Sequence, residues 1–313
     1  LGALGLPLPS AATLASGVTG VLSLIAAYSL GRAFGLDRRL ALAPPLLLAL
    51  SPDFAFYLGS GLETVAFAGA CALLAAALAE TTPGRWRLRG RALPALSVAT
   101  VLLRPEGALV VAGVVGFRSW KQRDPLGAVR CLAWVALGLS PAVLLARLYY
   151  GDWLPNTYYA KAGAGLENLD QGVSYVLAFA TAYPLPILAS ALALVARRRR
   201  IGPVAALVAG VAVWCAYVVQ VGGDNMVGYR VLLQKLAQIS EAGLSAFPDV
   251  ARAARLRAAL LSALLSFGIW HGGLARQPSW DVPARTLAQT WSAQHDLRRQ
   301  VGEELRERLP PGE

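Results

Sequence analysis

Long runs of Ala, Leu and Val, separated by short arginine-rich segments, constrain the fold of this chain more than any other feature. A helix that crosses a bilayer needs roughly 20 apolar residues. Runs at about 11–35, 40–58, 63–80, 93–118, 127–149, 173–196, 202–221 and 257–275 meet or approach that length. A soluble protein of 313 residues would need a charged surface, yet 56% of these residues are apolar and only 15% are charged. The mean hydropathy of +0.51 agrees. The expected fold is all-α: a polytopic membrane helical bundle over 1–275, in eight to ten segments. The more polar stretch 276–313, with Trp280, Trp291 and a helical run over 296–308, reads as the start of a small soluble extracytoplasmic domain.

The net charge of +11 invites a nucleic-acid reading. The arginines flank apolar runs, however, which is where the positive-inside rule places them. Nucleic acid is therefore not expected as a partner, and the bilayer is. The loops at 36–39, 84–91, 118–130 and 197–200 become cytoplasmic. Run 93–118 is basic on both flanks, so it must enter and leave on the same side. A hairpin of two short helices, with Arg104-Pro105-Glu106 at its outer tip, satisfies this, because a proline disfavours helix at the residue before it. Pro44-Pro45 predicts a kink in the second run. The N-terminus then lies outside. Gly61-Leu62-Glu63, Arg104-Pro105-Glu106, the 150–172 loop and the 222–230 loop share the outer face. Residues 231–248 carry Gln234, Lys235, Gln238 and Glu241; alternation asks for a crossing there, and an interfacial amphipathic helix competes with it.

Charged groups at membrane depth cost about 2.5–3.5 kcal/mol each on insertion scales, so they mark candidate sites. Glu63 opens a span, where a carboxylate also suits a helix N-terminus. Arg104 and Glu106 sit between two apolar half-helices. They can pair with each other, or Arg104 can face a phosphate or carboxylate with Glu106 holding it. The loop from Tyr149 to Lys161 holds Asp152, Trp153, Asn156, Thr157, Tyr158 and Lys161. An interfacial aromatic belt explains its rings. It does not explain Asp152, Asn156 and Lys161 together, which suit a sugar and a phosphate. Gly222-Gly223-Asp224 through Tyr229-Arg230 combines glycines, which permit close backbone approach, with Asp224 and a second candidate anion ligand, Arg230. Asp224 is either a turn residue or a ligand for a hydroxyl or cation. Cys71, Cys131 and Cys215 lie in apolar runs and read as small hydrophobes. His271 and His295 have no partners in sequence. No metal site or cofactor is expected.

Gly61-Leu62-Glu63-Thr64, Arg104-Pro105-Glu106-Gly107, Leu154-Pro155-Asn156-Thr157-Tyr158-Tyr159-Ala160-Lys161 and Gly222-Gly223-Asp224-Asn225-Met226 through Tyr229-Arg230 form an ordered set. In order and spacing it resembles a bacterial branch of the GT-C glycosyltransferase superfamily, the branch that includes the actinobacterial terminal arabinofuranosyltransferase. The resemblance covers about 1–275. It implies a polyprenyl-phosphate sugar donor and inverting transfer of a sugar, such as arabinofuranose, to a cell-envelope glycan or lipid acceptor. Transfer would occur on the extracytoplasmic face of a bacterial inner membrane. For such a transfer, Arg104, Lys161 and Arg230 are the residues expected near the phosphate. Asp152, Asn156, Tyr158 and Asp224 would lie near the sugars, with Glu63 and Glu106 as supports. The family's acidic catalytic residue lies in its first outer loop, and no residue here matches it. The chain opens on Leu1 and closes on Leu309-Pro310-Pro311-Gly312-Glu313, which reads as a fragment lacking that loop and most of the C-terminal domain.

A polytopic transporter of a polar or anionic solute is the alternative. It would also use broken helices and polar residues, but along both halves of the bilayer. A non-catalytic scaffold would leave Arg104-Pro105-Glu106 unexplained.

Overall fold

The structure is a computed structural model. It describes residues 7–79, 92–151, 153, 166–183, 187, 202–223, 232 and 238, and the backbone of 276–279 and 282–286. Nine α-helices are described: α1 (Leu8–Ala33), α2 (Ala43–Ala49), α3 (Pro52–Gly59), α4 (Thr64–Ala79), α5 (Ala92–Leu103), α6 (Gly107–Gln122), α7 (Pro125–Tyr150), α8 (Leu166–Ala182) and α9 (Pro203–Gln220). A short 3-10 turn, Leu40–Leu42, leads into α2. Among the described residues the one departure from helix is an antiparallel hairpin, β1 (Arg276–Ser279) with β2 (Val282–Thr286), in which Arg276 faces Thr286 and Ser279 faces Val282.

Helices α1, α7 and α9 are long and apolar enough to cross a membrane. The stretch Leu40–Ala49, which includes α2, and α3, bent by 65° at their break, are together long and apolar enough for a broken span or a re-entrant loop. The bend does not fall at Pro44-Pro45 as the sequence suggested. Those prolines occupy the first turn of α2, where the missing N–H has no intrahelical partner to lose. The break falls at Leu50-Ser51, before Pro52, and the Ser51 hydroxyl caps α3 by accepting from Phe54 N. The 93–118 run is broken as expected. Helices α5 and α6 pack on each other and on α4, joined by Arg104-Pro105-Glu106. The start of α6 lies so close to α5 that a Cβ on Gly107 would stand 2.7 Å from the Thr100 carbonyl oxygen.

Helix α4 is the axis. Fourteen of its 16 residues are buried. Helix α1 runs parallel to it through a stripe of small residues. Ser23 Oγ donates to the Val65 carbonyl, and a Cβ on Gly69 would lie 2.9 Å from Ser23 Cα. Close backbone approach through such residues is how helices associate where no hydrophobic drive separates protein from lipid. By contrast, α7 buries only Val135, and Leu132, Leu137, Leu144 and Leu145 on it are exposed. Polar groups would be required on that surface in water; hydrocarbon satisfies it as it stands.

Directions follow from the contacts. Helices α4 and α6 run side by side. Their starts meet at Glu63, Arg104 and Glu106, and their ends meet where Arg118 Nη1 donates to the Ala77 carbonyl at 2.9 Å. Helix α7 runs beside α5, with Gly138 against Val98. Helix α9 passes Phe67 at Trp214 and ends beyond it, where its last turn meets the first half of α8. One end of the bundle thus carries Glu63, Arg104, Glu106, Gly151 and Gly223. The other carries Arg32, Arg38, Arg39, Arg118, Lys121 and Arg123.

Residues 188–196 and 257–275, expected in spans, and 296–308, expected helical, lie outside the described residues. Of the stretch 231–248, Leu232 and Gln238 are described, both helical and both buried. Gln238 Nε2 donates to the Cys71 carbonyl at 3.2 Å, midway along α4. Gln238 therefore lies at mid-depth of α4, and the rest of 231–248 lies outside the described residues.

Candidate functional site

The site is built on two chain breaks at one end of the bundle and a third that lies deeper. Gly61, at φ +73°, turns the chain from α3 into α4 against Ala12, a conformation that favours glycine. Glu63 comes two residues later, and its carbonyl accepts from Phe67 N, so it stands at the N-terminus of α4. The second break is Arg104-Pro105-Glu106, which stands at the N-terminus of α6. The third is Ser51-Pro52, between α2 and α3.

Arg104 is the centre of the site. Only 5% of the residue is exposed. Nη2 donates to Glu106 Oε1 at 3.4 Å, Nε lies 4.0 Å from Glu63 Oε1, and the guanidinium carbon stands 5.6 Å from the centroid of the Phe67 ring. The Glu63 contact is beyond hydrogen-bond length, and that side chain is 35% exposed. Glu106, at 16%, is the tighter partner. Arg104 Nη1 is buried with no hydrogen-bond partner among the described residues. The same is true of Thr64 Oγ1, on the first residue of α4. Leaving a buried donor unbonded costs about 1–3 kcal/mol. The N-termini of α4 and α6 converge here, and both place partial positive charge at the site. A buried cation, a donor without an acceptor and two helix N-termini together suit the oxygen of an anionic group.

A second polar cluster lies deeper. Asp53, in the first turn of α3, is completely buried. The Tyr183 hydroxyl donates to Asp53 Oδ2 at 2.8 Å and lies 2.8 Å from Ser51 Oγ. Sequence reading missed Asp53. Its signal was a carboxylate inside an apolar run directly after a proline, but its partner stands 130 residues away. Six residues of helix place Asp53 about 9 Å below Gly59, in the half of the bundle that holds Arg104.

Among the described residues the buried polar side chains are Ser16, Ser23, Ser51, Asp53, Thr64, Ser97, Thr100, Arg104 and Gln238, which lie in that half or, for Ser97 and Gln238, near mid-depth. Toward the basic end the core is Leu30, Ala72 to Leu78, Val111, Val114 and Leu207, all aliphatic.

Of the residues singled out from sequence, the structure brings Glu63, Arg104 and Glu106 together. Asp152, Asn156, Thr157, Tyr158, Lys161, Asp224, Tyr229 and Arg230 lie outside the described residues. Their neighbours Gly151 and Gly223 are at the Arg104 end, and Arg147 covers the Trp153 ring at 5.5 Å. Among the described residues no group of three or more His, Cys, Asp or Glu is placed to hold a metal ion. Compared with protein-family models, with curated proteins and with solved structures, the chain matches none.

Proposed function

We propose that this protein is a membrane glycosyltransferase that uses a polyprenyl-phosphate sugar donor at the Arg104 end of the bundle. The buried, incompletely bonded guanidinium of Arg104 carries this reading. Glu106 fixes one arm of its planar fork, and Nη1 is left to a ligand oxygen. An acceptor hydroxyl attacks the anomeric carbon, the bond from that carbon to the phosphate oxygen breaks, and the lipid phosphate departs. The hydroxyl proton passes to a carboxylate base. The transition state has oxocarbenium character, and Arg104 with the two helix N-termini stabilises the charge growing on phosphate. Lys161 and Arg230 would add cations, and Asp152, Asn156, Thr157, Tyr158, Asp224 and Tyr229 would hold sugar hydroxyls. The positive-inside rule sets this end on the extracytoplasmic face of a bacterial inner membrane. The acceptor is a cell-envelope glycan or lipid.

One observation favours a transporter instead. The bent α2–α3 pair with the buried Asp53 resembles the broken helices at which transporters hold their solutes. The aliphatic core at the basic end argues the other way, because a solute path must be polar through both halves. Membranes containing the protein, incubated with radiolabelled prenyl-phosphate sugars, test the proposal. Label should reach an acceptor, and Arg104→Ala should abolish this while insertion is unchanged. Uptake of a polar solute without transfer would select the transporter.

A further inference from the structure

At the opposite end of the bundle, α5, α6 and α7 leave between them a cavity of about 400 Å³. Leu93, Pro94, Val115 and Trp134 supply apolar walls, and Arg118 and Arg130 supply cations. Arg118 is held in place by its bond to the Ala77 carbonyl, at the last turn of α4. Arg130 is exposed, on the second turn of α7. The nearby carboxylate of Asp124 is engaged in capping α7, accepting from Gly127 N at 2.8 Å. Lys121 and Arg123 add positive charge at the α6–α7 turn, where Arg123 adopts a left-handed conformation. Leading away from Arg130 on its own side of α7, at helical spacing, Trp134, Leu137 and Leu144 are all exposed. Trp120, two residues from the end of α6, is exposed, as suits an aromatic ring at a membrane interface.

We infer that this cavity binds the headgroup of an anionic phospholipid, in the leaflet on the basic side. Charge and shape both point there. Two arginines fit a phosphate diester, and the apolar track along α7 fits the acyl chains attached to it. A soluble phosphate would use the first feature and not the second. Basic pockets between membrane helices on the cytoplasmic side are suited to such headgroups. The inference does not depend on the transferase reading, because the site shares no residue with Arg104 and its partners.

Native mass spectrometry of the protein in mild detergent, titrated with equal amounts of phosphatidylglycerol and phosphatidylcholine, tests it. Phosphatidylglycerol should be retained preferentially. Arg130→Gln should lower that retention by about fivefold, the contribution expected of one interfacial arginine. Arg38→Gln, on an exposed side chain at the same end but outside the cavity, should not. Arg118→Gln should act like Arg130→Gln, but it also removes the bond to Ala77, so Arg130→Gln is the deciding variant. Equal retention of the two lipids would overturn the inference. So would equal losses in Arg130→Gln and Arg38→Gln, which would mean diffuse charge alone. Complete displacement of the lipid by millimolar inorganic phosphate would overturn it too, by assigning the cavity to a soluble anion.

Discussion

Replacing Arg104 by glutamine separates what that side chain does for the fold from what it does for chemistry. Its side chain is 6% exposed, with one charge-assisted bond at 3.4 Å and one ring contact at 5.6 Å. A hydrogen bond to a charged group contributes about 1.5–3 kcal/mol, and the ring contact about 0.5–1 kcal/mol. The bond is long and Glu106 is partly solvated, so the lower figures apply. Glutamine also removes the unbonded Nη1, which offsets about 1 kcal/mol. The net destabilisation is then about 1 kcal/mol, a melting shift of roughly 2–4 °C for a chain of this size. Loss of one preorganised donor to a developing oxyanion costs about 10²–10³ in rate. The assay pairs a melting curve, read by tryptophan fluorescence in nanodiscs, with the initial rate of sugar transfer. The expected outcome is a small melting shift and a rate down by about 100-fold or more. Arg104→Lys keeps the charge but loses the fork, and should fall between. A rate within about threefold of the original, beside the same melting shift, would refute the catalytic assignment and leave Arg104 a structural ion-pair member.

Gly69→Ala should push α1 away from α4, because the new Cβ meets Ser23 backbone at 2.9 Å; a loss of about 1–3 kcal/mol is expected in a melting assay, and an unchanged melting point would contradict the parallel packing of these helices. Tyr183→Phe leaves the buried Asp53 without that donor and should cost about 1–3 kcal/mol in the same melting assay; an unchanged melting point would contradict the buried bond. Gln238→Leu should cost about 0.5–1.5 kcal/mol if residue 238 packs at the depth of Cys71; a stabilising effect, as for a lipid-facing position, would put 231–248 at the interface.

The membrane elements were legible because hydropathy is a local property. The limits of α1, α4, α7 and α9 fall within a few residues of the apolar runs that announced them. Arg104-Pro105-Glu106 was legible as a break because a proline and two charges coincide in an apolar run. The other break was misplaced for an equally local reason. Pro44-Pro45 suits the first turn of α2 as well as it suits a kink, and sequence does not say which. What sequence does not carry is pairing at long range. Asp53 acquires its meaning from Tyr183, Arg118 from the Ala77 carbonyl, and Gln238 from the Cys71 carbonyl, each partner 41 or more residues away. The unbonded Nη1 of Arg104 likewise emerges only after Glu63, Glu106 and Phe67 have been placed around it.

The proposed transfer requires the Arg104 end of the bundle to face outward, and accessible cysteines measure that most directly. With Cys71, Cys131 and Cys215 replaced by alanine, Ser60→Cys reports on the Arg104 end and Arg38→Cys on the basic end; both positions are exposed. On intact bacteria an impermeant maleimide should label position 60, and should reach position 38 only after the membrane is opened. Labelling of position 38 on intact cells, with position 60 protected, would contradict the account.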